Sequence, residues 1–289
     1  MSSPVLFLMS TGPDGTTTFA PADPTAPHLR VDDLGATRGD GIFESVNVVG
    51  GVAQSLRHHL DRFARSAAMV DLPAPDATAW AVALKQAVAA HDPVPELLVK
   101  LIVTRGVEGS GVPTGWVHAF VAADHARERV EGIDVLALER AYPSDVMTRA
   151  PWLLQGAKTL SYALNMAALR HARARGAHDV VFLSSDGEVL EGPNSTVVAV
   201  FGDRWVTTPP ELGILEGTTQ GRAFDFARGR GDRAEIGRLA LADLHSADAL
   251  WLVSSGRLSA PVRSVDGTPR PVDVVLSAEL LQHLLTVHD

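Results

Sequence analysis

Gly156-Ala157-Lys158-Thr159-Leu160-Ser161-Tyr162 places one lysine in a turn that opens an alanine-rich helix over about 162–175. Held between Gly156-Ala157 and apolar Leu160, its amine is expected to be partly desolvated, the state in which an amine serves as nucleophile and base. The next informative acid along the chain is Glu191, in Val189-Leu190-Glu191-Gly192-Pro193-Asn194-Ser195-Thr196, on an apolar strand just before a glycine. A lone lysine is usually a solvated surface residue, and a lone strand glutamate often faces water. Their meaning depends on the rest of the chain.

The chain has 289 residues, which predicts one large or two modest domains. Hydrophobic residues make up 46% and charged residues 20%, an ordinary globular balance. Lys+Arg number 25 against 34 Asp+Glu, a net charge of -9 with no basic stripe interleaved with aromatics, so nucleic acid is not an expected partner. The absence of cysteine excludes disulfides, thiolate metal sites and a cysteine nucleophile. The apolar run Val5-Leu6-Phe7-Leu8-Met9 is too short and lacks the positive flank of a signal peptide, and no stretch approaches the roughly 20 apolar residues of a membrane span. The expected location is cytoplasmic, with no membrane partner.

Three other chemistries fail on spacing. Gly109-Ser110-Gly111-Val112-Pro113-Thr114-Gly115 lacks the dinucleotide fingerprint and leads into a strand instead of a helix. His58-His59 belongs to no ligand array, so no metal is expected. Asn194-Ser195 after a proline is not a hydrolase nucleophile elbow.

Periodicity predicts strands over 42–49, 97–103 and 116–121 and amphipathic helices over 56–69 and 77–90, a small N-terminal α/β domain of residues 1–122. The polar stretch 123–131 has no strand pattern and is the expected interdomain linker. Residues 132–289 form the expected larger domain carrying the lysine, with strands over 180–183, 196–201, 205–208 and 249–253 and helices over 219–228 and 278–285. The fold class is α/β (α+β).

A pyridoxal phosphate site makes three demands: an amine for the aldehyde, an acid for the pyridine nitrogen, and donors for the phosphate. Lys158 and Glu191 answer the first two. Leu215-Glu216-Gly217-Thr218-Thr219-Gln220 opens a helix, where free amides and threonine hydroxyls suit an anion, and Ser254-Ser255-Gly256 after a strand offers a second such cluster. Arg62 supplies a candidate cation. Each alone has an ordinary structural reading as a helix cap or surface charge.

The order Arg62, Lys158 with Tyr162, Glu191-Gly192, Gly217-Thr218-Thr219, then Ser255-Gly256 ahead of Pro261-Val262 resembles the class IV aminotransferases, the fold-type IV pyridoxal phosphate enzymes. That family includes D-amino-acid, branched-chain and (R)-selective amine transaminases and 4-amino-4-deoxychorismate lyases. The resemblance implies a small N-terminal α/β domain, a larger barrel-like domain and a homodimer. It implies that Lys158 forms the Schiff base with pyridoxal phosphate, that Glu191 pairs with the pyridine nitrogen, and that Arg62, Thr218, Thr219 and Ser255 hold the phosphate with Tyr162 beside the cofactor. Gly39-Asp40-Gly41-Ile42-Phe43-Glu44 matches the family's substrate-pocket strand and makes Phe43 a wall, with Gly256 also at the substrate.

Several departures bear on the substrate. Arg38 stands where relatives often carry an aromatic residue, Ser110 and Val112 stand in place of an arginine and histidine carboxylate trap, and Gln220 replaces a common arginine. Arg38 or Arg105 is therefore the expected clamp for a substrate carboxylate. The expected reaction moves an amino group from an amino acid, D-amino acid or related amine favoured, to a 2-keto acid. The alternatives are aminodeoxychorismate lyase, branched-chain L-aminotransferase, and a non-catalytic dimeric scaffold.

Overall fold

Residues 3–286 are described by a computed structural model that divides into two compact units: a first running to Ala123 and taking in Ala157–Tyr162, and a second made of Asp124–Gly156 and Ala163–Thr286.

The first unit contains β1 (Val5–Thr11), β2 (Thr17–Ala22), α1 (Leu34–Arg38), β3 (Gly41–Val49), β4 (Val52–Ala53), α2 (Leu56–Met69), α3 (Ala77–Ala90), β5 (Glu96–Thr104) and β6 (Thr114–Val121). The strands form one sheet in the order β2-β1-β6-β5-β3-β4, every neighbouring pair antiparallel. Asp76 starts α3 by accepting hydrogen bonds from the amides of Thr78 and Ala79, two donors that no residue inside the helix can satisfy. Phe63 of α2 and Trp80 of α3 are buried and meet edge to face with ring centroids 5.1 Å apart.

Lys158 precedes the helix that begins at Ala163, close to the expected start at about Tyr162. The segment lies antiparallel against β3: the Phe43 amide donates to the Lys158 carbonyl at 3.0 Å, the Leu160 amide to the Gly41 carbonyl at 2.8 Å, and Ile42 pairs with Thr159. These ladder bonds are why Ala157–Tyr162 groups with the first unit, although the chain on both sides of it belongs to the second. Gly41 permits the approach, since a Cβ there would fall 2.7 Å from the Val103 carbonyl oxygen and 2.8 Å from Leu160 Cδ1.

The second unit contains α4 (Ala126–Glu131), β7 (Ile133–Glu139), α5 (Val146–Arg149), α6 (Ala163–Arg173), β8 (Asp179–Leu183), β9 (Thr196–Phe201), β10 (Arg204–Thr207), α7 (Thr218–Gly229), β11 (Arg233–Ile236), α8 (Leu241–Ser246), β12 (Ala249–Ser254), β13 (Leu258–Val265), β14 (Thr268–Pro269) and α9 (Val274–Leu285). A helix, α4, occupies most of the 123–131 stretch expected to be the interdomain linker. The sheet order is β11-β10-β9-β12-β13-β7-β8, with β14 on β13; β10–β11, β13–β7 and β7–β8 are parallel and the other pairs antiparallel.

Its central strands β9 and β12 are buried on both faces. Along β9, Val197 and Ala199 enter one apolar cluster with Leu250, Leu252 and Val262, while Val198 and Val200 enter another with Trp205, Trp251 and residues of α7 and α9. Trp205 and Trp251 stack at 5.2 Å with 7° between ring planes. The chain after β8 turns back on it: the Leu190 amide donates to Phe182 O at 2.8 Å and the Phe182 amide to Glu191 O at 2.9 Å. The Val189 amide then donates to Leu239 O at 2.7 Å, tying edge strand β8 to the chain just beyond the opposite edge strand β11. Glu191 sits on this closing segment. Among the described residues, no helix is long and apolar enough to cross a membrane.

Candidate active site

β3 sends alternate side chains to opposite sides, and both sides matter. Phe43 meets Tyr162 edge to face at 5.4 Å, and the Lys158 Nζ lies 4.4 Å from the centre of the Phe43 ring. The Lys158 amide donates to Ser66 Oγ of α2 at 3.1 Å, so the residue is held from two directions. Lysine, phenylalanine and tyrosine therefore come together.

On the other side of β3, Glu44 is fully buried and takes a two-pronged pair from Arg62, with Nε 2.6 Å from Oε1 and one terminal nitrogen 2.7 Å from Oε2. His59 Nδ1 lies 2.7 Å from the same Oε2. Burial alone would push the Glu44 carboxyl up, but the Arg62 charge and hydrogen bonds, helped by His59, hold it far below the usual carboxylate range. Burial pushes the His59 imidazole down, against the pull of Glu44 and with the Arg62 and Lys158 charges adding to the effect. Arg62 is thus no helix-surface charge: one edge of its guanidinium is fixed on Glu44. The sequence reading missed Glu44 and His59, although an acid on a strand followed by a His-x-x-Arg helix spacing was visible.

The two candidate carboxylate clamps separate clearly. Arg38 ends α1 exposed to solvent, just before Gly39 at φ 69°, and no side-chain partner is recorded for it among the described residues. Arg105 is committed elsewhere: it grips Asp40 with Nε at 2.7 Å and a terminal nitrogen at 3.1 Å, and donates to the carbonyls of Val70 and Asp71. It braces the Gly39-Asp40-Gly41 turn against the end of α2.

In the second unit, the Leu215 amide donates to Glu191 Oε2 at 3.0 Å, and an Arg140 terminal nitrogen lies 3.4 Å from Oε1. The Arg140 guanidinium also lies 5.1 Å from the centre of the Phe182 ring. Arg140 was missed because β7, which delivers it, was not read from the sequence. Three residues after Leu215, α7 begins at Thr218 with Gly217 as N-cap and no side-chain cap. A Cβ on Gly217 would lie 2.3 Å from Thr196 Oγ1, so the backbone turns here at close range. Thr218 Oγ1 comes within 3.5 Å of Ser255 Oγ, joining the two expected anion-binding clusters, and Thr219 is buried beside them in sequence. Gly256 follows Ser255, and a Cβ on it would meet nothing within 4 Å.

The family profile described as Amino-transferase class IV matches residues 41–265. The chain belongs to the class IV aminotransferases. This aminotransferase is 43% identical over 270 residues to a bifunctional aminodeoxychorismate lyase / D-amino acid transaminase of Mycobacterium tuberculosis, covering 89% of this chain and 93% of that one. Its structure is similar to a fold IV transaminase from Curtobacterium pusillum, with 46% identity, a TM-score of 0.94 and coverage of 99% and 100%. It is also similar to a pyridoxal-phosphate-bound form of a Mycobacterium tuberculosis aminotransferase, with 38% identity, a TM-score of 0.88 and coverage of 97% and 98%.

The aminotransferase is therefore a pyridoxal-phosphate-dependent enzyme of fold type IV. The residues present fit that group chemically. An amine lies over an aromatic ring, a carboxylate is oriented by a backbone amide, and a helix N-terminus without a side-chain cap stands beside two hydroxyls.

Proposed function

We propose that this aminotransferase takes the amino group of a D-amino acid and delivers it to a 2-keto acid such as 2-oxoglutarate or pyruvate, with pyridoxal phosphate as cofactor. The seating of the Lys158 amine 4.4 Å from the Phe43 ring centre, with Tyr162 against the same ring, carries this reading. The cofactor supplies the aldehyde that captures amines and the ring that accepts electrons from the substrate carbon. Lys158 holds it, then removes and returns the proton at Nζ. Glu191, oriented by the Leu215 amide, keeps a negative charge at the ring nitrogen. Arg62, Thr218, Thr219 and Ser255 hold the phosphate. Phe43 walls the substrate, and Arg38 clamps its carboxylate.

Incubation of the enzyme with D-alanine and no keto acid tests this. The bound cofactor's visible absorbance is expected to convert to that of the amine form, and added 2-oxoglutarate to restore it. An unchanged spectrum with D-amino acids refutes the proposal.

Aminodeoxychorismate lyase is a second reading, because the relative at 43% identity carries both activities in its name. Release of pyruvate and 4-aminobenzoate from aminodeoxychorismate would establish it, with or without transamination.

A further inference from the structure

The tight turn between β12 and β13 carries Ser255 and Gly256, and it is held from outside by residues with no role in the chemistry above. Arg129 of α4 donates from Nε to the Arg257 carbonyl at 2.9 Å and from a terminal nitrogen to the Gly256 carbonyl at 3.5 Å. The Arg257 side chain turns away to Asp179 at 2.6 Å and to Glu128 at 3.3 Å. Asp179 is buried at the start of β8, and His125 Nδ1 lies 3.1 Å from the Glu128 carboxylate. The Arg257 amide donates to Ser254 Oγ at 3.3 Å, and Leu258 takes a left-handed φ of 64°, unusual for a branched side chain. Arg129 thus bonds the turn's backbone directly, while Asp179 and Glu128 hold the side chain of Arg257 within it.

Their chemistry decides what they do. Two arginines face two carboxylates, so the cluster adds no net positive charge and does not work as an electrostatic lure. It satisfies the turn's carbonyl oxygens instead. The Gly256 amide has no recorded partner among the described residues. A turn whose acceptors are fixed on one side presents its amides and the Ser255 hydroxyl in one orientation, next to the start of α7 through the Thr218–Ser255 approach.

We infer that Arg129 and Arg257 are positioning residues that preorganise the Ser255-Gly256 turn to receive the cofactor phosphate. The inference rests on the proposed pyridoxal phosphate site. Without Arg129, the turn must be ordered at the moment of binding, and that cost falls on affinity for a phosphate-bearing cofactor. The rest of the cofactor is held elsewhere.

Titration of the cofactor-free enzyme with pyridoxal phosphate and, separately, with pyridoxal distinguishes positioning from general bracing. For Arg129→Ala the expected result is about a tenfold weaker binding of pyridoxal phosphate, with pyridoxal affinity unchanged. Arg129→Lys, which keeps the charge but cannot fork to two carbonyls, should give an intermediate loss and guards against misfolding of the alanine variant. Equal loss for both ligands, or no loss for either, overturns the inference. Failure of the wild-type enzyme to bind pyridoxal phosphate while remaining folded would instead overturn the site reading itself, and this inference with it.

Discussion

The Phe43 amide donates to the Lys158 carbonyl at 3.0 Å, which makes a residue on a regular sheet strand the backbone partner of the proposed Schiff-base lysine. The lysine inherits the rigidity of β3, and the contact that fixes it runs through Gly41. Replacing Gly41 with alanine puts a methyl group against the Val103 carbonyl and Leu160, so the 158–160 segment must shift outward. Overpacking of this kind costs about 1–3 kcal/mol, and a displacement near 1 Å at a reacting group costs about 100-fold in rate. Gly41→Ala is expected to retain its fold by circular dichroism and lose kcat by one to two orders of magnitude. Full activity would show that the ladder does not position Lys158.

How much of this was legible depended on the kind of signal. The helices α2 and α3 follow from apolar spacing and were located to the residue, because both bury one stripe of side chains against the sheet. β13 was not read as a strand, since Pro261 sits in its interior and cannot donate to a ladder. The structure accommodates it opposite Trp251, with a register shift between Val262 and Ser264 on the β7 side. In the site, residue types in order along the chain pointed to amine, acid and anion clusters. Which arginine is free and which is committed was not visible, because Arg105 is fixed by Asp40 at a sequence distance of 65 residues. Sequence order does not encode such pairings.

Glu44 anchors the buried charges of the first unit. It takes two hydrogen bonds from Arg62 and the pair is buried, so removing the anion takes those bonds from a guanidinium in a low-dielectric interior. Glu44→Leu is expected to lose about 3–5 kcal/mol in urea unfolding. A loss below about 1 kcal/mol, the size expected of an exposed pair, would mean that solvent relieves the stranded charge.

His59 makes stability depend on mild acid. Its imidazole titrates below the ordinary value of 6.5 in the folded protein, so as pH falls through 6.5 the unfolded chain takes up a proton that the folded one refuses. Stability therefore falls with pH in that window. His118, also lowered by burial and by Lys100, adds to the same loss. The Glu44 contribution is full above 4.5 and begins to be lost only below that value, which separates the two effects. Unfolding free energies at pH 7.5 and 5.5 should differ less for His59→Gln than for the wild type, by at most about 1.4 kcal/mol per pH unit. Identical slopes would place the acid sensitivity elsewhere.

Arg38 and Arg105 should respond oppositely to truncation. Arg38 is exposed, so Arg38→Ala should leave thermal stability unchanged and raise KM for a D-amino acid about 10-fold or more, the scale of a lost charge-assisted hydrogen bond. Arg105→Ala removes bonds to Asp40, Val70 and Asp71 and should cost about 1–3 kcal/mol of stability. An unchanged KM for Arg38→Ala would exclude it as the clamp.

Glu191 offers the most direct test of the acid assignment. Glutamine at this position keeps the size of the side chain and an oxygen to accept the Leu215 amide, but removes the charge. Stability should therefore hold, while an electrostatic contribution to the reacting state disappears, typically about 100- to 1,000-fold in kcat. Arg140→Met asks a narrower question, because Arg140 reaches the other carboxylate oxygen at 3.4 Å without being an acid itself. If orientation by Arg140 matters, kcat should fall by a smaller factor than for Glu191→Gln, and the double variant should be no worse than Glu191→Gln alone, since the arginine acts only through the carboxylate. Additive losses in the double variant would show that Arg140 acts on the substrate or cofactor independently of Glu191.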